Sequence, residues 1–122
     1  MTALGQVLGV AVLGGFAALA RFRLDGAVSR RLGGGFPWGT LVVNGVGALL
    51  AGLVAGVAPE EGVRVLLAIG VLGSFSTFST WMLETQRLAE DSRPWLAAAN
   101  VAISVAVGIA AVALGWAIRA RL

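Results

Sequence analysis

The chain has 122 residues, of which 58% are hydrophobic and 12% charged, with a formal net charge of +3. A soluble domain of this length buries only about two-thirds of the surface its unfolded chain exposes, too little to hide so much apolar side chain. Long uncharged runs therefore point to an all-α integral membrane protein, and residues 1–122 read as a single four-helix transmembrane domain with no separate soluble part. Cys and His are both absent, which excludes disulfides, thiolate chemistry and the commonest proton shuttle and metal ligand. All nine basic residues are Arg and lie at segment ends and in loops, so they read as membrane flanks and not as a nucleic-acid footprint.

The first apolar segment runs from about Ala3 to Ala20 with Gln6 as its only strongly polar side chain. It lacks a basic start and a cleavage site, so it is read as a retained span. Gly5 and Gly9 stand one turn apart, as do Ala11 and Gly15, and give a smooth face for helix contact. A linker carrying Arg21, Arg23, Asp25, Arg30 and Arg31 follows and ends in the turn Gly33-Gly34-Gly35. Phe36-Pro37-Trp38 opens the second segment, with Pro suited to a first helical turn and Trp to the interface. That span continues to about Ala58, contains the pair Gly52 and Gly56, and carries Thr40 and Asn44 on one face.

Pro59-Glu60-Glu61 opens the third segment, Val65 to about Leu83, whose middle reads Gly73-Ser-Phe-Ser-Thr-Phe-Ser-Thr80. Hydroxyls crowded at this depth have no use facing lipid, and the preceding glycines allow the backbone to leave regular helix, most naturally at Gly73. Glu84, Arg87, Glu90, Asp91 and Arg93 form a polar tail, and Pro94 restarts a helix. The fourth segment, Trp95 to about Ile118, places Asn100, Ser104 and Gly108 on one stripe and ends at Arg119 and Arg121 beside Trp116.

Orientation is nearly balanced. Arg64, Arg119 and Arg121 share one side of the membrane, and the six other arginines share the opposite side. The rule that positive loops stay inside favours the larger group as cytoplasmic, by a margin small enough for insertion both ways round.

Three segments carry polar stripes: Thr40 with Asn44, Ser76 with Thr80, and Asn100 with Ser104. Each side chain could simply bond a backbone or a neighbouring helix, worth ~0.5–2 kcal/mol. Three stripes at similar depth also suit a lined path. No Asp, Glu, His, Lys or Arg lies at the centre of any span, which removes the ionisable group a proton-coupled exporter needs and any catalytic set, so the chain does not read as an enzyme. What remains is a group of neutral donors and aromatic rings, which can replace water around a small anion. Phe75, Phe78 and Trp81 recur every three residues, a spacing that serves packing or an anion path equally. Carbonyls freed at a break in the third span need a partner, either a bound cation or a hydroxyl cap.

Together these residues resemble the bacterial fluoride channel family (Fluc, also called CrcB). The likeness is carried by Gly14-Gly15 with Arg21, by Gly39-Thr40-Leu41-Val42-Val43-Asn44, by Gly73 to Thr80 in the third segment, and by the fourth-segment pattern from Asn100 through Ser104 to Gly108. It implies a passive fluoride channel of the plasma membrane, built as an antiparallel, dual-topology dimer with the third helix broken near mid-membrane and a structural sodium ion (Na+) at its centre. The resemblance maps the sodium ligands onto Gly73 and Ser76, and the fluoride pore onto Phe78, Trp81, Asn44, Thr40, Ser104 and Arg21. Its implied partners are the fluoride ion, the lipid bilayer and a second copy of the chain. Trp81 stands where the family most often has Phe, and Asn100 where a Tyr can stand. With the weak charge bias, that also fits one half of a pair of non-identical subunits. Two other readings stand beside it: a small four-helix multidrug exporter, which needs a first-helix Glu that is missing here, and a non-transporting assembly subunit.

Overall fold

The computed structural model describes residues 2–55 and 60–122. The end of the second segment near Ala58, Gly56 of the Gly52–Gly56 pair and Pro59 lie outside the described residues. Among the described residues, four helical stretches are long and apolar enough to cross a bilayer: Ala3–Leu32, Trp38–Ala55, Glu61–Glu90 and Pro94–Ala120.

Helix α1 (Ala3–Leu32) is 30 residues long and starts at Thr2, whose hydroxyl accepts from the Gly5 N–H at 3.0 Å. At ~1.5 Å per residue it reaches about 45 Å, well past the ~30 Å of hydrocarbon. The stretch from Arg21 onward, expected as a linker, therefore continues as helix into the polar interface. Ala, Leu and Arg are good helix formers, Ser29 bonds Asp25 at 3.2 Å, and Arg30 and Arg31 sit in the last turn, where cations suit the helix dipole. Gly33 ends it with φ of 81°, a left-handed conformation that favours glycine.

Helix α2 (Trp38–Ala55) buries Thr40, Leu41, Val43 and Gly47 and packs chiefly on α6 (Pro94–Ala120). The two helices interlock through glycines. A Cβ at Gly52 would run into the Val112 carbonyl, and one at Gly115 into the Leu49 carbonyl, so the backbones touch directly. Gly52 thus serves a contact with another helix.

The third segment is irregular. α3 (Glu61–Val65) passes into a π-helical stretch, Leu66–Leu72, then the short α4 (Gly73–Phe75), and finally α5 (Phe78–Glu90). Between α4 and α5, Ser76 (φ −79°, ψ 155°) and Thr77 (φ −143°, ψ 117°) are extended. Gly73, where unwinding was expected, is helical at φ −64° and ψ −28°. Departure from the helix follows the hydroxyls and not the glycine. Ser76 Oγ returns to the Leu72 carbonyl at 3.0 Å, and Thr77 Oγ1 accepts from the Thr80 N–H at 3.2 Å as the N-cap of α5.

The interior is small. Ala17, Val43 and Phe75 form its centre, flanked by Leu24, Val46 and Val71. Large apolar side chains of α1 and α6, among them Phe16, Phe22, Ile109 and Leu114, face outward.

Candidate functional site

The site is assembled around Thr77. Asn44 Nδ2 donates to the Thr77 carbonyl at 2.9 Å, and the Thr77 N–H donates to Asn44 Oδ1 at 2.8 Å. One α2 amide therefore satisfies both backbone groups of an extended residue that has no strand to pair with. An amide carries two N–H donors, so one remains beyond this pairing. The Thr77 hydroxyl donates to Thr80 Oγ1 at 3.1 Å, leaving Thr80 its own proton to give.

Beside this clamp lies a cavity of about 180 Å³ lined by Arg21, Phe22, Asp25, Thr40, Val43, Thr77 and Thr80. It brings Arg21 and Thr40 together with the third segment. Thr40 is buried, 3% exposed, and its hydroxyl donates to Glu84 Oε1. Glu84 also lines a wider cavity of about 380 Å³ with Ser29, Gly33 to Pro37, Arg87, Leu88 and Asp91. The Thr40–Glu84 bond thus joins a residue lining one cavity to a residue lining the other.

The aromatic residues divide by place. Phe75 belongs to the core and is 7% exposed, so it packs. Phe78 is 69% exposed and meets the Trp81 ring edge-on, with centroids 5.6 Å apart and planes at 83°. Trp81 does not offer a free N–H, because Nε1 donates to the Asn100 carbonyl at 3.3 Å. Ser104 bonds the Asn100 side chain at 3.4 Å and does not line the Arg21–Thr40 cavity.

Gly73 and Ser76 were expected to offer carbonyls to a cation. The N–H that would close the Gly73 carbonyl's helical bond belongs to Thr77 and goes to Asn44. The corresponding N–H for Ser76 belongs to Thr80 and goes to the Thr77 hydroxyl. Both carbonyls lose their regular donor, which leaves oxygens of the kind a hard cation takes.

Sequence reasoning passed over Thr77, Glu84 and Asp25 as members of this site. Thr77 and Thr80 do carry a local signal, a hydroxyl three residues ahead of another at a helix start. Glu84 lies one turn beyond Thr80. Asp25 had no signal, since it was assigned to a linker.

Four apolar helices able to span a bilayer, with polar side chains gathered between them, define a multi-pass membrane protein. Residues 8–116 match the family model described as CrcB-like protein, Camphor Resistance (CrcB). The Fluoride-specific ion channel FluC 2 of Mycobacterium tuberculosis is 48% identical over 108 residues, covering 88% of this chain and 86% of the relative. The protein of the same name from Symbiobacterium thermophilum is 46% identical over 112 residues (88% and 91%), and the Fluoride-specific ion channel FluC of Geobacter sulfurreducens 43% over 106 (83% and 86%). The chain belongs to the CrcB family.

Proposed function

We propose that this protein is a passive fluoride-selective channel of the plasma membrane that lets accumulated fluoride leave the cell. The observation that carries this reading is the group of mostly uncharged donors around extended backbone at Ser76 and Thr77, in a chain whose relatives are named fluoride-specific ion channels. Fluoride is small and a strong hydrogen-bond acceptor. A narrow path lined by the spare Asn44 N–H, the Thr80 hydroxyl and the edges of Phe78 and Trp81 offsets its dehydration better than it can for the larger chloride. Arg21 draws anions toward the cavity without entering the mid-membrane path, and Thr40 ties the path to Glu84 at the wider mouth. Ser104 acts through Asn100, at one remove from the anion.

In this reading the third span works as a broken helix, and two copies assemble as an antiparallel, dual-topology dimer, or this chain pairs with a non-identical one. The Gly73 and Ser76 carbonyls would hold a structural sodium ion, whose charge would satisfy oxygens that the diverted Thr77 and Thr80 N–H groups leave behind. Purified protein in liposomes loaded with fluoride should release it on addition of a potassium ionophore, as read by a fluoride electrode, while chloride-loaded liposomes stay closed. Absence of fluoride release, or equal chloride release, would sink the proposal.

A further inference from the structure

Helices α5 and α6 are joined by a closed circuit of hydrogen bonds. Trp81 Nε1 donates to the Asn100 carbonyl at 3.3 Å, the Asn100 amide donates to Thr85 Oγ1 at 2.8 Å, and Thr85 Oγ1 donates to the Trp81 carbonyl at 2.8 Å. Ser104 Oγ donates to the remaining Asn100 oxygen at 3.4 Å. Asn100 is 1% exposed, so no water competes for its amide. A Thr hydroxyl on the carbonyl four residues back is ordinary in an apolar helix. The other two bonds are different, because each crosses from one helix to the other and both meet in a single residue. A helical carbonyl has a second lone pair, so Asn100 can accept the indole without giving up its own helical bond.

The circuit has a directional consequence. The Asn100 side chain tied to Thr85 holds α6 against α5 at this level, which keeps the Asn100 carbonyl within reach of Nε1 while the indole plane stands at 83° to the Phe78 ring. We propose that Thr85 and Asn100 are positioning residues for Trp81, turning its N–H into the α5–α6 contact so that a passing anion meets ring carbons only. This rests on the channel reading above. A free indole N–H in the path would hold a halide by a directional, charge-assisted hydrogen bond, and conduction needs sites weak enough to leave. A ring edge attracts the ion through the quadrupole without a proton to hold it.

The test follows the indole N–H groups of ¹⁵N-labelled full-length protein by NMR in lipid nanodiscs. Four tryptophans give four signals, and the Trp81 signal is the one lost in Trp81→Phe. Trp95 and Trp116 are 71% and 59% exposed, and the Trp81 N–H should exchange with solvent at least about tenfold more slowly than theirs. Adding sodium fluoride should leave its position unchanged. Thr85→Val should remove the protection and lower fluoride efflux about tenfold, or ~1.4 kcal/mol of barrier, and Thr85→Ser should restore both. A fluoride-dependent shift of the Trp81 N–H, an unprotected Trp81 N–H in the unaltered protein, or a Thr85→Val variant that loses protection yet conducts normally would each overturn the proposal. The first two need no variant to fold. Failure of unaltered protein to pass fluoride is a failure of the channel reading, and the exchange data tell the two apart.

Discussion

Asn44 and Phe78 are both candidate pore residues, yet the structure gives them different dependence on the fold. Asn44 is held by two bonds to Thr77, whereas Phe78 is 69% exposed, with its ring set against Trp81. In Asn44→Asp a carboxylate oxygen replaces the donor to the Thr77 carbonyl, so acceptor faces acceptor and a part-buried carbonyl goes unpaired, at a cost of ~1–3 kcal/mol. Thermal unfolding in detergent should shift down accordingly, and fluoride efflux should fall with it. Phe78→Ile should melt within about 0.5 kcal/mol of the unaltered protein, as exposed substitutions do, while losing most of its fluoride efflux. Wild-type flux in both variants would mean that the two side chains only pack. Thr40 and Asn44 were legible in advance because positions four apart on one regular helix share a face. Thr77 was not, because extended residues break the register that such reasoning extrapolates, and the Trp81 N–H partner depends on how two helices dock.

The elements show the same division. Four spans were readable from hydropathy, since each run is long enough to cross hydrocarbon and is bounded by Arg, Pro or Gly. Which small residue meets which helix was not readable, as pairing depends on the rotation of both partners. Gly52 was readable as a helix-contact position, but its partner, Gly115 of α6, was not. The obstacle to a side chain there is backbone, which cannot rotate aside. Gly115→Ala should therefore push α6 off α2 and cost ~1–3 kcal/mol, the usual penalty of overpacking a tight contact. Gly34, with nothing within 4 Å of an added Cβ, is the matched control, and Gly34→Ala should unfold like the unaltered protein. Equal stability of the two variants would show that α2 and α6 can separate at no cost.

For the whole molecule, the question is what covers the outward apolar faces of α1 and α6 and which way round the chain inserts. Hydrocarbon satisfies some of that surface, and the proposed assembly, which follows the family resemblance, sets a second, inverted copy against the rest with a sodium ion near the Gly73 and Ser76 carbonyls. Inversion requires both orientations, and the arginine count of three against six permits this only weakly. Arg119→Gln with Arg121→Gln leaves one against six and should fix a single orientation. A chain with Arg23, Arg30 and Arg31 changed to Gln and lysines appended after Leu122 should fix the other. Each variant alone should leave fluoride-sensitive cells unprotected, because half of every antiparallel pair is missing, and the two co-expressed should restore tolerance. If the first variant alone protects cells with all of its C-termini on one side of the membrane, the subunits assemble in parallel or act singly, and the inverted pair is wrong.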